Sequence, residues 1–198
     1  YDDLRTGRED NVRVGRLIRG DIADRERVES ILRTERIEAV IHFAASAYVG
    51  ESMRDPAKYF RNNVVGGLAL LDACMAANVR RLVFSSTCAT YGVPVRLPID
   101  EDHPQKPVNP YGESKLFFEK ALAWFEQCHG LRWVALRYFN AAGADPSGDL
   151  DEHHDPDTHL LPLTIDAAMR RRGPIEIFGT DYDTPDGTAV RDYIHVCD

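Results

Sequence analysis

The sequence predicts an α/β protein with a doubly wound parallel sheet and part of a smaller C-terminal domain. Short apolar runs rich in β-branched residues alternate with longer segments in which apolar residues recur at helical spacing. This alternation is typical of βαβ units, in which a helix connects two parallel strands. After residue 143 the chain becomes polar and acidic, and the alternation stops. We therefore predict a sheet domain at 1–143 and an incomplete second domain at 144–198.

The sheet domain contains four predicted strands and three predicted helices. The strands are predicted at 16–22, 39–45, 81–87 and 133–139. The helices are predicted at 25–36, 56–77 and 111–128. Asp24 is a candidate N-cap for the first helix, Pro56 begins the second, and Asn78 is placed to end it. Right-handed crossovers bring the carboxyl ends of such strands to one edge, where ligands bind.

The second domain is predicted to be unfinished. It has a predicted helix at 160–172 and predicted strands at 175–179 and 190–196, which cannot bury a core by themselves. The chain also begins with Tyr1 rather than methionine. We expect the polypeptide to be the middle portion of a longer protein, lacking both termini.

Composition excludes several classes of protein. The chain has 24 Lys and Arg against 32 Asp and Glu, a net charge of −8, and no basic run that could neutralise a nucleic-acid backbone. Its 4 cysteines stand apart, with no Cys-x-x-Cys pair to indicate a zinc site or a disulfide framework. No apolar run approaches the roughly 20 residues that a membrane span needs. We expect a cytoplasmic protein without nucleic-acid or membrane partners.

The histidines are predicted to be neither metal ligands nor catalytic bases. His153 and His154 are adjacent, and adjacent residues rarely converge on one ion. His42 and His195 stand in apolar strand segments, which predicts hydrogen-bonded core residues. We therefore expect no metal site.

The residues Tyr111-Gly112-Glu113-Ser114-Lys115 carry the clearest chemical signal. Tyr and Lys at i and i+4 project from one face of a helix. A neighbouring ammonium favours the phenolate, which predicts a tyrosine pKa below its usual value of about 10 and a group suited to general-base chemistry. A bare Tyr-x-x-x-Lys is more often a surface pair. Here, the upstream strand end Ser85-Ser86-Thr87 and the α/β context favour an active site.

Five motifs, in order, resemble the extended short-chain dehydrogenase/reductase (NAD-dependent epimerase/dehydratase) family, and within it the nucleotide-sugar epimerases. The motifs are Ile41-His42-Phe43-Ala44-Ala45, Tyr59-Phe60-Arg61-Asn62-Asn63-Val64, Phe84 to Gly92 followed by Asn109 to Lys115, Arg137-Tyr138-Phe139-Asn140, and Val190-Arg191-Asp192-Tyr193-Ile194-His195-Val196. The resemblance covers essentially the whole chain. It implies a Rossmann-type sheet domain with NAD as cofactor.

The resemblance also implies an activity, the interconversion of UDP-glucose and UDP-galactose. In this family, tightly held NAD takes hydride from C4 of the sugar, giving a 4-keto intermediate, and returns it to the other face. Tyr111 would take the proton from the 4-hydroxyl. Lys115 would bind the nicotinamide ribose and lower the tyrosine pKa, and Thr87 would assist proton movement.

The remaining roles implied by the resemblance divide by ligand. The cofactor residues are Asp2, Asp21, Ile22, Phe43, Ala44, Ala45, Asn63, Tyr111, Lys115 and Tyr138. The substrate residues are Thr87, Tyr111, Asn140, Ile177, Phe178 and Arg191. Asp2 would bind the adenosine ribose, and Asn140 and Arg191 would hold the uridine diphosphate.

The sequence departs from the family pattern at its start. The Gly-rich turn that binds the pyrophosphate should precede Tyr1 and is not among the 198 residues. We predict that the 198-residue polypeptide is inactive although the protein it represents is an enzyme. Relatives in this family often form homodimers through the helices that correspond to 56–77 and 111–128, so we expect a homodimer of the full-length protein.

The residues also bear on three alternatives to an epimerase. A 4,6-dehydratase needs acidic residues after the active-site hydroxyl, whereas Cys88-Ala89-Thr90 follows Thr87, so that function is disfavoured. A 4-epimerase of another nucleotide sugar (UDP-N-acetylhexosamine, UDP-pentose or UDP-uronic acid) stays open, because part of the sugar pocket lies beyond Asp198. A catalytically silent cofactor-binding domain would be expected to have lost Tyr111 or Lys115, and both are present.

Overall fold

The computed structural model describes residues 1–148, 150 and 157–198, so His153 and His154 lie outside the described residues. It divides into two compact units, Tyr1–Tyr138 and Phe139–Asp198. The first unit contains a parallel three-stranded sheet, and the second contains a parallel two-stranded sheet. The first unit ends before the predicted boundary at residue 143.

The sheet of the first unit has the order β1-β2-β3. Its strands are β1 at Val40–His42, β2 at Arg81–Ser85 and β3 at Arg132–Leu136. The parallel pairing confirms the predicted fold class for three of the four predicted strands. The strand predicted at 16–22 is wrong: within it only Arg19 pairs, through an isolated parallel bridge with Asp2. An apolar run becomes a strand only where a neighbour offers a row of backbone partners.

The helices of the first unit follow the predicted order, with additions. They are α1 at Arg25–Thr34, α2 at Val49–Arg54, α3 at Pro56–Tyr59, α4 at Gly67–Ala76 and α5 at Pro110–His129. The Asp24 side chain caps α1 by accepting from the Arg27 amide, as predicted. Helix α2 was not predicted. Between α3 and α4 the chain forms a π-helical segment, Phe60–Gly66, so the predicted helix at 56–77 is interrupted in its centre.

The core of the first unit lies on one face of its sheet. Side chains from β2, α4 and α5, including Leu71, Phe84 and Phe118, form a buried cluster on that face. A second buried cluster joins α1 to α4 through Val28, Leu32, Leu70, Ala73 and Cys74. On the opposite face, Ile41 is 64% exposed and Val134 is 54% exposed. Among the described residues, helices therefore bury only one face of this sheet.

The regular elements of the second unit differ in part from those predicted. Helix α6 spans Leu160–Ala168, and the parallel strands are β4 at Asn140–Ala142 and β5 at Tyr193–His195. Strand β4 was not predicted. The segment 175–179, predicted as a strand, has no regular structure, and Phe178 within it is 96% exposed. Composition alone favoured a strand there, but no neighbouring strand pairs with the segment.

The two strand histidines differ in environment. His42 is buried as predicted, with its ring centroid 5.6 Å from that of Phe84 and 5.3 Å from that of Phe118. His195 is exposed, so its prediction as a core residue is wrong, and its Nδ1 accepts a hydrogen bond of 3.2 Å from the Cys197 amide. None of the described helices is both long and apolar enough to cross a membrane.

Candidate active site

The candidate active site lies where the first turn of α5 meets the carboxyl end of β2. The Asn109 side chain caps α5 by accepting a hydrogen bond of 2.8 Å from the Gly112 amide, and Pro110 occupies the first turn. Gly112 packs closely on the turn after Thr87. A Cβ built on it would lie 2.6 Å from the Ala89 carbonyl oxygen. The absence of a side chain at residue 112 therefore lets Tyr111 approach the strand end.

Lys115 is a buried cation at this strand end. It is 3% exposed, and its Nζ donates a hydrogen bond of 2.7 Å to the Ser85 carbonyl oxygen. Nζ also lies 4.8 Å from the Phe84 ring centroid and 5.9 Å from that of Tyr111. Burial lowers the pKa of Lys115 to about 8, although the negative charge of Glu119 acts to raise it. Lys115 is thus one turn from Tyr111 and close to its ring, as the spacing predicted.

Tyr111 differs from the prediction in the direction of its pKa shift. Burial raises the pKa of Tyr111, and a hydrogen bond with Thr87 opposes that rise. The expected lowering of the Tyr111 pKa by Lys115 is therefore wrong for this structure, because the phenolate loses more hydration on burial than its surroundings return. The hydroxyl of Thr87, rather than the ammonium, is the group that favours the phenolate.

Thr87 is fixed by the turn that follows it. Its Oγ1 accepts a hydrogen bond of 3.2 Å from the Ala89 amide, and its carbonyl oxygen accepts one of 3.0 Å from the Thr90 hydroxyl. These contacts form a 3₁₀ turn at Cys88–Thr90 directly after β2. The structure thus brings Thr87, Tyr111 and Lys115 together at the carboxyl end of β2.

The predicted cofactor residues in the first unit lie at several places. Phe43, which follows β1, is 65% exposed, with Ala44 and Ala45 partly buried beside it. Ile22 packs against the π-helical segment, since a Cβ on Gly66 would lie 3.1 Å from its Cγ1. The Tyr138 carbonyl oxygen accepts a hydrogen bond of 2.9 Å from the Cys88 amide.

Asp2 forms the isolated bridge with Arg19, and Asp21 follows two residues after Arg19. The Asp2 carboxylate accepts a hydrogen bond of 2.7 Å from the Leu4 amide. The Asp21 carboxylate accepts 2.9 Å hydrogen bonds from the Ala23 amide and from the Arg5 guanidinium. Asp21 also lines a cavity of about 400 Å³, and the lining side chains include three cationic groups, two carboxylates and one amide. Its lining residues are Arg5, Asp21, Ala23, Asp55, Lys58, Arg61, Asn62 and Gly66.

Asn63 has a positioning role that the sequence did not indicate. Its buried amide accepts a hydrogen bond of 2.8 Å from the Ser46 nitrogen and donates one of 3.0 Å to the Ser46 carbonyl oxygen. It also donates a hydrogen bond of 3.0 Å to the Ser114 hydroxyl on α5. Asn63 therefore joins the loop after β1 to the helix that carries Tyr111 and Lys115. The spacing of apolar residues predicts an α-helix and does not distinguish a π-helical segment. The position of Asn63 could therefore not be predicted from that spacing.

The donor set of the first unit fits a dinucleotide such as NAD in part. A buried ammonium at Lys115, carboxylates at Asp2 and Asp21, and an exposed aromatic ring at Phe43 suit ribose hydroxyls and flat heterocycles. A Gly-rich phosphate-binding turn is not among the 198 residues. Among the described residues, no group of three or more His, Cys, Asp or Glu is placed to hold a metal ion.

The predicted substrate residues apart from Thr87 and Tyr111 belong to the second unit. The Asn140 amide donates a hydrogen bond of 2.8 Å to the Asp192 carbonyl oxygen, which joins β4 to the residue before β5. Arg191 is exposed, and its Nη1 donates to the Val190 carbonyl oxygen at 2.8 Å. Ile177 is 75% exposed, like the neighbouring Phe178, and is free to contact a ligand.

Two charged residues of this region were missed by the sequence interpretation. Glu119 is 4% exposed and forms an ion pair of 2.7 Å with Arg137. Spacing could have found Glu119, because Tyr111, Lys115 and Glu119 are each four residues apart and so share one face of α5. Arg137 lies one residue beyond the end of β3, and only pairing of the sheet places it beside Glu119.

The fold and this site define a class: a parallel-sheet nucleotide-binding protein with a Tyr-x-x-x-Lys pair and a hydroxyl at the carboxyl edge of the sheet. A model of the NAD dependent epimerase/dehydratase family matches residues 2–198. The chain belongs to this family, and the resemblance in its motifs is confirmed.

Several relatives are similar along most of the chain. A curated UDP-glucose 4-epimerase from Rhizobium meliloti is 54% identical over 198 residues, which are 100% of this chain and 60% of that protein. The crystal structure of UDP-glucose 4-epimerase from Brucella ovis in complex with NAD has 56% identity and a TM-score of 0.96, over 99% of this chain and 60% of that one. UDP-glucose 4-epimerase from Bifidobacterium longum, in complex with NAD⁺ and UDP, has 41% identity and a TM-score of 0.85, over 90% of this chain and 54% of that one. The chain thus spans about 60% of the length of the first two.

Proposed function

We propose that the full-length protein containing this chain is a UDP-glucose 4-epimerase that interconverts UDP-glucose and UDP-galactose by transient oxidation at C4. The observation that carries the proposal is the meeting of Tyr111, Thr87 and Lys115 in a chain whose similar relatives are epimerases along its whole length. The relatives solved with NAD and with UDP support the choice of cofactor and of nucleotide. NAD, when bound, supplies a hydride acceptor and donor at C4.

In this proposal Tyr111 is the group that takes the proton from the sugar 4-hydroxyl. Thr87 is hydrogen-bonded to the Tyr111 hydroxyl and would keep that hydroxyl aligned for proton transfer. Lys115 keeps one ammonium at the strand end, where it would bind a cofactor hydroxyl and stabilise negative charge that develops on the phenol. Lys115 is buried and Tyr111 is partly buried, which limits the access of water to the proposed proton-transfer path.

The proposal assigns ligand contacts in both units. In the first unit, Asp2, Asp21, Ile22, Phe43, Ala44, Ala45, Asn63 and Tyr138 would contact NAD together with Tyr111 and Lys115. In the second unit, Asn140 and Arg191 would hold the uridine diphosphate, and Ile177 and Phe178 would lie against the uracil. An exposed guanidinium suits a pyrophosphate, and the exposed Phe178 ring suits a flat base.

The test uses the chain extended to the full length of its relatives. The protein is incubated with UDP-galactose, without added NAD, and UDP-glucose is followed. We expect turnover, and we expect Tyr111→Phe to lower it by about 100-fold to 10,000-fold because the general acid-base group is lost. The Tyr182→Phe variant is the control, since it removes an exposed phenol to which the proposal assigns no role. If the folded protein is inert toward both UDP-hexoses but converts another UDP-sugar, that sugar replaces UDP-glucose and UDP-galactose as the proposed substrate. Inertness toward all UDP-sugars would overturn the proposal.

A further inference from the structure

A buried carboxylate lies one helical turn beyond Lys115 and is not used by the proposed mechanism. Glu119 is 4% exposed and shares the face of α5 that carries Tyr111 and Lys115. Carboxylates are almost never fully buried without a partner. Its burial beside a cation of the candidate active site therefore calls for a physical reason.

Glu119 accepts hydrogen bonds from three different parts of the first unit. The Ser86 hydroxyl, directly after β2, donates to its Oε1. The Gln105 amide, in the loop before α5, donates to its Oε2 at 3.1 Å. Arg137, after β3, donates from Nη2 to Oε2 at 2.7 Å and from Nε to Oε1 at 3.1 Å. One carboxylate thus ties together the ends of two strands, a loop and a helix.

Arg137 is itself fixed on its other side. Its Nη1 donates a hydrogen bond of 2.9 Å to the Tyr91 hydroxyl, and its guanidinium carbon lies 5.1 Å from the Tyr91 ring centroid. The hydrogen bonds from Arg137 lower the pKa of Glu119, although burial acts to raise it. Glu119 is therefore held as a carboxylate in one orientation.

The end of β2 is held by two successive turns of α5. Lys115 binds the Ser85 carbonyl oxygen, and Glu119 binds the Ser86 hydroxyl. Thr87, the next residue, forms the hydrogen bond with Tyr111. The Glu119 contact thus fixes the residue that precedes Thr87.

Two charged side chains and two neutral titratable side chains lie around Lys115. Glu119 on α5 is anionic, and Arg137 after β3 is cationic on the far side of Glu119. His42 on β1 is neutral at physiological pH because burial lowers its pKa to about 3. Tyr111 is an uncharged phenol because burial raises its pKa. Glu119 is therefore the negative charge that offsets the burial of the Lys115 ammonium.

We propose that Glu119, held by Arg137, is a positioning residue that orients the Ser85–Thr87 strand end and supplies the counter-charge that keeps Lys115 an ammonium beside Tyr111. This role rests on the proposed function only in its consequence for catalysis. Its electrostatic part is a property of the folded chain.

The experiment titrates Lys115 in the full-length protein. Lysine is labelled with ¹³C at Cε, and the Lys115 signal, assigned by its loss in Lys115→Arg, is followed by NMR across alkaline pH. In Glu119→Gln we expect the pKa of Lys115 to fall by about one pH unit, because the opposite charge one helical turn away has been removed. In Arg137→Gln we expect it to rise, because a neighbouring cation has gone and Glu119 is left to Lys115 alone.

The pair of variants separates the proposal from a merely structural role. Both break the same ion pair and both lower stability, but they shift the Lys115 pKa in opposite directions. Glu113→Gln removes an exposed carboxylate from the same turn of α5 as a control, and we expect no shift. The double variant, Glu119→Gln with Arg137→Gln, leaves no unpaired buried charge and serves as the reference if one single variant does not fold.

Shifts of the same sign in both single variants, or an unchanged Lys115 pKa in Glu119→Gln, would overturn the inference. These readouts do not depend on turnover. A protein without epimerase activity that still showed the opposite shifts would refute the proposed function and leave the role of Glu119 intact.

Discussion

Burial has opposite effects on the pKa values of the two main residues of the candidate site. It lowers the pKa of Lys115 to about 8 and raises that of Tyr111, because loss of hydration disfavours the charged form of each. At neutral pH the resting pair is an ammonium beside a phenol. For the proposed role of Tyr111 as a base, the Thr87 hydrogen bond, rather than Lys115, is the contact in this structure that favours the phenolate.

His42 makes a separate residue-scale prediction about acid stability. Its folded-state pKa is lowered by burial to about 3, from the usual 6.5. As pH falls below 6.5, His42 becomes protonated in the unfolded chain but stays neutral in the folded chain. The folded state therefore loses stability on acidification. Between about pH 7 and pH 5 we expect this single histidine to cost about 2 kcal/mol of unfolding free energy.

The His42→Phe variant tests that expectation. A phenyl ring can occupy the same space between Phe84 and Phe118 and does not titrate. Urea unfolding of the full-length wild type and variant at both pH values gives the difference in acid sensitivity, in which the contributions of all other groups cancel. Equal loss of stability in the two proteins would contradict a neutral, buried His42.

At the scale of elements, the site depends on close packing of a helix start against a turn. Helix α5 can approach the Cys88–Thr90 turn because residue 112 is glycine. The π-helical segment Phe60–Gly66 has a comparable role on the other side, since it carries Asn63, which binds both the loop after β1 and Ser114 of α5. The face of α5 that carries Tyr111 and Lys115 is thus positioned by the Gly112 contact and by the π-helical segment as well as by its own residues.

The Gly112→Ala variant tests the helix-turn contact. Its Cβ would meet the Ala89 carbonyl oxygen, a backbone atom that cannot rotate away. We expect a loss of about 1–3 kcal/mol in stability. We also expect turnover to fall by about 100-fold, because Thr87 moves relative to Tyr111. Thermal unfolding and UDP-galactose turnover of the full-length protein provide the two measurements.

Gly50 offers the matched control for that variant. It lies in α2, and a Cβ built on it meets nothing within 4 Å. We expect Gly50→Ala to raise stability by up to about 1 kcal/mol, because alanine loses less backbone entropy in a helix, and to leave turnover unchanged. Similar behaviour of the two variants would show that general helix propensity, rather than the contact with Ala89, decides the outcome at residue 112.

At the scale of the whole molecule, the first unit has an incompletely covered sheet. Ile41 and Val134 are more than half exposed on the face opposite the core, whereas a doubly wound sheet carries helices on both faces. The chain also spans about 60% of the length of the relatives from Rhizobium meliloti and Brucella ovis. The exposed sheet face predicts binding of apolar molecules, and the lack of a Gly-rich phosphate-binding turn predicts weak binding of a dinucleotide.

We therefore expect the 198-residue polypeptide by itself to show no epimerase activity and to bind a hydrophobic dye more strongly than the full-length protein does. Both preparations are compared at equal concentration for conversion of UDP-galactose and for dye fluorescence. Conversion of UDP-galactose by the shorter polypeptide would refute the first expectation, and equal fluorescence would refute the second.

The sequence by itself determined the fold class, the starts of α1 and α3 and, to within one residue, of α5, and the shared helix face of Tyr111 and Lys115. Asp24, Asn109 and the apolar periodicity of α1 and α5 act locally, through capping and amphipathic spacing, so they can be predicted from neighbouring residues. The Tyr111 and Lys115 pair was found for the same reason, since four residues along a helix fix their common face. The tyrosine pKa was predicted in the wrong direction because the extent of burial is not a local property.

Tertiary structure alone decided which apolar runs became strands, where the π-helical segment lies and what surrounds Glu119. The runs at 16–22 and 175–179 have the composition of strands but lack a row of paired neighbours. Arg137 reaches Glu119 only because β3 pairs beside β2, which brings residues 18 positions apart in the chain into contact. Pairing between distant segments and the loss of water around a charge both depend on the assembled fold, and neither is encoded in the spacing of residues along one element.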